Sequence, residues 1–251
     1  MSIEYRVDAG IARVTLNRPE KRNALDPTTI AEIGEALAAT AADENVRIVV
    51  ITGAGNDFCS GADLSGLQKS GDNDVLQHMA DARKMADVFL AMRRHPRPIV
   101  AAVRGRALAG GCGLATAADL ILASESAQFG YPEVNIGFVA AMVMAILRRS
   151  ISEKRAFELL TTGEIIPAQT ASDYGLVNRV FADETFDIDV EAFVSKLAAK
   201  SASAITLSKK LLYHIDAMSF ETSIESGVQV NAMARTTDDL KKGLEKFLKR
   251  S

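Results

Sequence analysis

Tryptophan is missing from the chain altogether, cysteine occurs twice and histidine three times. The absence of tryptophan excludes nothing. The scarcity of cysteine and histidine excludes more: Cys59 and Cys112, with His78, His95 and His214 scattered elsewhere, offer too few ligands for a metal site. A single disulfide is possible on count, but a reduced chain is the better expectation. An excess of charge of one sign is lacking too. The formal net charge is −3 and the sequence pI about 5.7, so no basic field recruits nucleic acid or an anionic membrane, and neither is expected as a partner. No apolar run approaches the ~20 residues of a membrane span. The opening Met1-Ser2-Ile3-Glu4-Tyr5-Arg6 lacks the basic and apolar regions of a secretory signal, so a cytoplasmic location is expected. Tandem repeats and low-complexity linkers are absent as well.

What is present is 251 residues with 48% hydrophobic content, enough for one large domain or a domain with a small appendage. Ile3–Val7 and Ile11–Leu16 read as strands of a hairpin around Asp8-Ala9-Gly10. Asp26-Pro27 supplies an N-cap and an N1 proline for a helix through about Ala41. Arg47–Thr52 is a buried-strand pattern ending at Gly53. Asn73–Arg94 has helical periodicity, closed by Pro96 and Pro98, and Ile99–Val103 is the next buried strand. A glycine turn and a short helix through Ala118 follow. Leu120–Ala123 and Ala127–Phe129 read as strands, with Pro132-Glu133 in a turn. Beyond Ala140 helices dominate, broken by a short strand at Val177–Phe181. Strands alternating with helices predict an α/β fold with a distinct helical C-terminal piece.

Two segments carry chemistry. Phe58-Cys59-Ser60-Gly61-Ala62-Asp63-Leu64 and Gly105-Arg106-Ala107-Leu108-Ala109-Gly110-Gly111-Cys112-Gly113-Leu114 are small-residue turns leading into helices. Each can present free backbone N–H groups, and two such turns together make an oxyanion hole for an enolate or a tetrahedral adduct. Taken alone, Gly110-Gly111 reads better as close packing of a helix on a strand. The segment ends in neither the Gly-Lys-Ser/Thr of a phosphate loop nor the dinucleotide fingerprint. Glu133 follows Pro132 and sits among Phe129, Tyr131, Val134 and Ile136, surroundings that raise a carboxyl pKa towards the range of a general acid or base. No histidine stands at a recognisable spacing from a Ser or Cys, so no hydrolytic triad is legible. Packing is the expected role of Cys59, and structural hydrogen bonding that of Asp119.

Both turns belong to a longer ordered set. Leu16-Asn17-Arg18-Pro19 and Asn23-Ala24-Leu25 precede them; Phe129-Gly130-Tyr131-Pro132-Glu133, Thr162-Gly163 and Ala171-Ser172-Asp173-Tyr174-Gly175-Leu176-Val177-Asn178 follow. In this order the chain resembles the enoyl-CoA hydratase/isomerase (crotonase) superfamily over nearly its whole length. The resemblance implies a spiral of β-β-α turns over residues 1–195, with a C-terminal helical region at 196–251 used in oligomerisation as a trimer or dimer of trimers. It implies an acyl-CoA thioester substrate and no cofactor beyond the CoA that the substrate carries. Carried over by motif, Ala62 and Gly110 are the oxyanion donors, the helix after Gly110 adds its dipole, and Glu133 transfers protons. Lys21, Arg22, Ala24, Ala62, Asp63, Leu64 and Phe247 meet the CoA moiety, with Lys246 beside Phe247 on a final helix. For Lys21, Arg22 and Lys246 a solvated surface role is the competing reading.

Departures from the family pattern decide the chemistry. Many hydratases carry a second glutamate where this chain has Gly113, and a proline and glycine pair where it has Phe138-Val139-Ala140-Ala141-Met142. Ala141 stands where dienoyl isomerases carry an aspartate. One carboxylate suits shifting a double bond better than adding water. Hydration by Glu133 with another acid, such as Asp72 or Asp74, is the alternative, as is a non-catalytic acyl-CoA-binding subunit. Thioester hydrolysis or decarboxylation on the same oxyanion hole is a third possibility. Phe138, Met142 and Met144 either reshape the acyl pocket or, as the preferred expectation, are core residues on a helix.

Overall fold

The structure is a computed structural model describing residues 1–63 and 74–249. β1 (Ile3–Asp8) and β2 (Ile11–Leu16) form the expected antiparallel hairpin. Its two-residue loop is Ala9-Gly10, both at positive φ, the geometry that matches the strands' twist. From β2 the sheet runs parallel through β3 (Ile48–Gly53), β4 (Ile99–Val103), β6 (Leu120–Ser124) and β9 (Arg179–Phe181). Burial on both faces explains the unbroken apolar runs of β3 and β4. A second sheet has the order β5 (Arg106–Leu108), β7 (Gln128–Gly130), β8 (Ile165–Pro167).

The connections form a spiral. β4 leads to β5 and into α3 (Gly110–Thr116); β6 leads to β7, a 3-10 turn at Pro132–Ile136 and α4 (Ala141–Ser150). β3 leads in the same way to Cys59, which bridges in parallel to Ala107 of β5. Two further helices flank the large sheet's core. α1 (Pro27–Ala42) is capped by Asp26, whose side chain accepts from Thr29 N–H, and α2 (Val75–Arg94) packs against it. Within the third turn, α5 (Glu153–Thr162) packs beside the 3-10 turn, and α6 (Ala168–Asp173) carries the chain on to β9.

α7 (Phe186–Ala198) covers the other face of the large sheet, seating Phe186 and Val194 on Ile11, Ile48, Val50 and Leu122. α8 (Ala202–His214), α9 (Phe220–Arg235) and α10 (Asp238–Leu248) complete the helical C-terminus. α8 is pinned to the spiral by Lys209, whose Nζ donates to Asp119 Oδ2 (2.7 Å) and to the carbonyls of Met92 and Arg97. Tyr213 donates to Asp119 Oδ1 and Ile99 N–H to Oδ2, so Asp119 is a structural acceptor, as expected. Among the described residues no helix is long and apolar enough to cross a membrane.

Candidate active site

Strand register sets the site. Cys59 pairs with Ala107 and Ala107 with Phe129, so these three residues stand side by side on neighbouring strands. Adjacent strands are ~4.8 Å apart, and three successive turns of the spiral therefore leave the small sheet along one edge. Ala62 and Gly110 lie three residues beyond their strand positions, and Glu133 lies four beyond Phe129. The residues singled out in the sequence occupy equivalent exits of consecutive turns.

The two donor turns meet directly. A Cβ built on Gly110 would lie 3.9 Å from the Ala62 nitrogen. Gly61, at φ +96°, has room for none: a Cβ there would meet Ala109 Cβ at 2.8 Å and the Leu108 carbonyl at 2.9 Å. Ala62 is the middle residue of a parallel bridge to Leu25, in which Leu25 N–H donates to Gly61 and Asp63 N–H donates to Leu25. Both bridge bonds belong to its neighbours, so the Ala62 N–H is left over. Gly110 is the first residue of α3, where an N–H has no intrahelical acceptor. Neither N–H meets an acceptor among the described residues. Ala109, which aims Gly110, is held at φ 50°, ψ −127°, a strained conformation for an L-residue. α3 spans only seven residues, so the pair of N–H groups matters more here than any helix dipole.

Glu133 heads the 3-10 turn, with Pro132 fixing the backbone before it. Its Oε2 is buried and finds no hydrogen-bond partner among the described residues. Burial raises the carboxyl above its ordinary range, with its own backbone N–H offsetting part of the effect. Behind it lie Cys112 and Tyr131, both fully buried; burial pushes Cys112 up to about 11 and Tyr131 further above its usual value. Burial likewise pushes Cys59 to about 12, which leaves an inert packed thiol, as expected.

The position of Gly113 is closed. A Cβ there would be driven into Val143 Cγ1 of α4, with Phe89 Cζ of α2 only 3.2 Å away. A side chain at 113 would thus have to displace apolar side chains of both neighbouring helices. Asp74, weighed as a second acid, is the N-cap of α2 in a full capping box with Gln77. Asp72 and Leu64 lie outside the described residues. One expectation fails: Phe138, Met142 and Met144 are not core residues but stand 54%, 38% and 39% exposed. The inward stripe of α4 is Val143 and Leu147, one helical turn apart, with Ile146 partly buried against the same core, while Met142 and Met144 face outward.

The loop from Arg18 to Leu25 abuts the Ala62 turn. Lys21 and Arg22 are exposed there, while Ala24 is buried and its carbonyl accepts from Arg18 Nη1 at 2.7 Å. Arg22 and Asn23 both adopt positive φ, and the Arg22 carbonyl accepts from Ser60 N–H. Two organising residues escaped the sequence reading. Arg18 pairs with Asp26 (3.0 Å) and Asp63 (3.3 Å), tying the loop to the donor turn. Buried Asn23 donates to the carbonyls of Ala54 and Asp57 and accepts from Arg18 N–H. Only their place within quoted motifs hinted at this. Phe247 stands 70% exposed on α10, a helix that packs against α8 and α9.

The enoyl-CoA hydratase/isomerase family profile matches residues 6–251. A Thermus thermophilus protein provisionally described as an enoyl-CoA hydratase is 38% identical over 240 residues, 96% of this chain and 95% of that one. The 2,3-dehydroadipyl-CoA hydratase of Escherichia coli is 32% identical over 94% of this chain and 91% of its own. The crystal structure of an enoyl-CoA hydratase from Mycobacterium smegmatis superposes with a TM-score of 0.95 at 34% identity, covering 100% of this chain and 97% of that one.

Proposed function

The chain belongs to the enoyl-CoA hydratase/isomerase family and is an enzyme of it, and we propose that it shifts the double bond of an enoyl-CoA thioester through one carboxylate, Glu133. The thioester oxygen lies against the N–H groups of Ala62 and Gly110. Glu133 removes a proton from C2, and the electron pair spreads onto that oxygen as an enolate. The same carboxyl, now protonated, delivers its proton to C4 as the double bond moves from C3–C4 to C2–C3. No water is consumed and the base is regenerated. The observation that carries this reading is the closure of position 113 by Val143 and Phe89, which denies the site a second carboxylate from α3.

Hydration is the second reading, favoured by the names of the relatives. Glu133 would then activate water and also protonate C2. The exposed Lys21 and Arg22 suit the CoA phosphates. Ala24, Ala62, Asp63 and Leu64 would follow the adenine and pantetheine path. Phe247, with Lys246, would close a CoA site from the C-terminal helix, in its own or a neighbouring subunit. No cofactor is needed beyond the CoA of the substrate, and the cytoplasm is the proposed location.

Residues 1–195 would form the catalytic spiral and 196–251 the trimer-forming region, in a trimer or dimer of trimers. Phe220, Ile224 and Val228, spaced four apart on α9, are 75%, 53% and 58% exposed, an apolar stripe of the kind that marks an interface.

The test is a paired assay of a 3-enoyl-CoA and a 2-enoyl-CoA, following conjugated thioester absorbance and product mass, with Glu133→Gln alongside. Conjugation of the 3-enoyl ester, lost in Glu133→Gln, is the expected result. Gain of one water by the 2-enoyl ester as the dominant reaction would replace isomerisation with hydration. CoA-ester binding with no turnover of either ester would move the activity to another acyl-CoA chemistry.

A further inference from the structure

We propose that Tyr131 and Thr116 are positioning residues that hold Glu133 at a fixed distance from the oxyanion donors. Their hydroxyls lie 2.7 Å apart in the buried interior. With Thr116 Oγ1 donating to the Cys112 carbonyl at 2.8 Å, the Tyr131 hydroxyl donates to Thr116, and the Cys112 thiol is its other hydrogen-bonding neighbour. The result is a one-way chain from the Tyr131 hydroxyl through Thr116 to the backbone of α3, of the kind in which each bond strengthens the next.

The placement of this chain gives it a consequence beyond satisfying a buried phenol. Thr116 ends α3, the helix whose first residue is Gly110. Tyr131 stands two residues before Glu133, with only the rigid Pro132 between them. A second tie, from Ala109 N–H to the Gly130 carbonyl at 2.9 Å, joins the same two segments at the other end of α3. The 130–133 segment is therefore fastened to both ends of the helix that carries one oxyanion donor. Val134, Ile136, Phe138 and Val139 are all exposed, so the turn is held by α5 on one side and by its ties to α3 on the other. Buried Tyr131 is the anchor on the inner side.

This inference rests on Glu133 being the proton-transferring group. Tyr131→Phe removes only the hydroxyl and leaves Thr116 still bonded to Cys112, so the fold should survive. Thr116→Val removes the acceptor, and Thr116→Ser keeps it. Using 3-enoyl-CoA, Tyr131→Phe and Thr116→Val should lower kcat by about tenfold to a hundredfold, the cost of a reacting group displaced by ~1 Å. KM should stay nearly unchanged, and Thr116→Ser should restore kcat.

Wild-type kcat in Tyr131→Phe, or equal losses in Thr116→Ser and Thr116→Val, would overturn the proposal. A wild-type enzyme that converts neither enoyl ester would instead refute the functional reading. The brace would then be judged by infrared titration of the Glu133 carboxyl, assigned with Glu133→Gln. The titratable groups that sense this carboxyl, Tyr131 and Cys112, are buried and neutral throughout that range. A lower midpoint in Tyr131→Phe, as the turn opens to water, would support the brace, and an unchanged midpoint would refute it.

Discussion

Glu133 is stored in an unfavourable state. Its folded pKa is raised by burial and its Oε2 has no partner among the described residues, so the native protein holds this proton more tightly than the unfolded chain does. Stability therefore falls as pH rises from the ordinary carboxylate value through the raised one, because the native state binds the extra proton across that window. Above it the charged form is half-buried with only its own backbone N–H to offset the loss of water. Glu133→Gln should lower kcat by about 10²–10⁴-fold, the usual contribution of a positioned acid-base group. At neutral pH it should also raise the thermal midpoint, a gain absent at pH 4. A midpoint that drops at neutral pH would show that the carboxylate is stabilising instead. Glu133 was legible because a motif, a proline and apolar neighbours mark one short stretch. Arg18 and the Tyr131–Thr116 pair were not, because their partners lie far along the chain and only folding shows which polar groups end up facing each other.

At the scale of elements, the site is a consequence of register: three strand exits side by side, with α3 and α4 packed too closely for a side chain at 113. Gly113→Ala should destabilise the protein by about 1–3 kcal/mol, as overpacking does. Adding Val143→Ala should recover part of that loss, a coupling that a denaturant double-mutant cycle would measure. Additive effects would mean that Val143 is not what closes the position. Most elements were readable from periodicity and capping; Asp26-Pro27 starts α1 where expected. β5 and β8 were not, since β5 lies inside the glycine-rich turn and β8 between two helices, and both owe their pairing to neighbours in the small sheet. Burial on α4 was misjudged for a related reason. Its methionines look like core, yet only one stripe of a helix faces inward.

The whole molecule is a spiral closed on one side by α7 and extended by three helices that Lys209 and Asp119 fasten through a buried ion pair. Those helices expose Phe220, Ile224 and Val228 on α9 and Leu244, Phe247 and Leu248 on α10. Ile224→Glu, placed in the α9 stripe, should reduce the mass seen by analytical ultracentrifugation to that of a monomer while far-ultraviolet dichroism stays helical. An unchanged mass would remove this stripe from the assembly. The spiral and its helical C-terminus were legible from the ordered motifs, whereas the exposed stripe emerged only once burial was known.

The most direct measurement of the chemistry uses a 3-enoyl-CoA carrying deuterium at C2 and locates the label in the product. One carboxylate that takes a proton from C2 and returns it to C4 should leave part of the deuterium at C4 of a conjugated product of unchanged acyl mass. A product heavier by one water, or no conversion of this ester by an enzyme that hydrates the 2-enoyl isomer, would contradict the single-base shuttle.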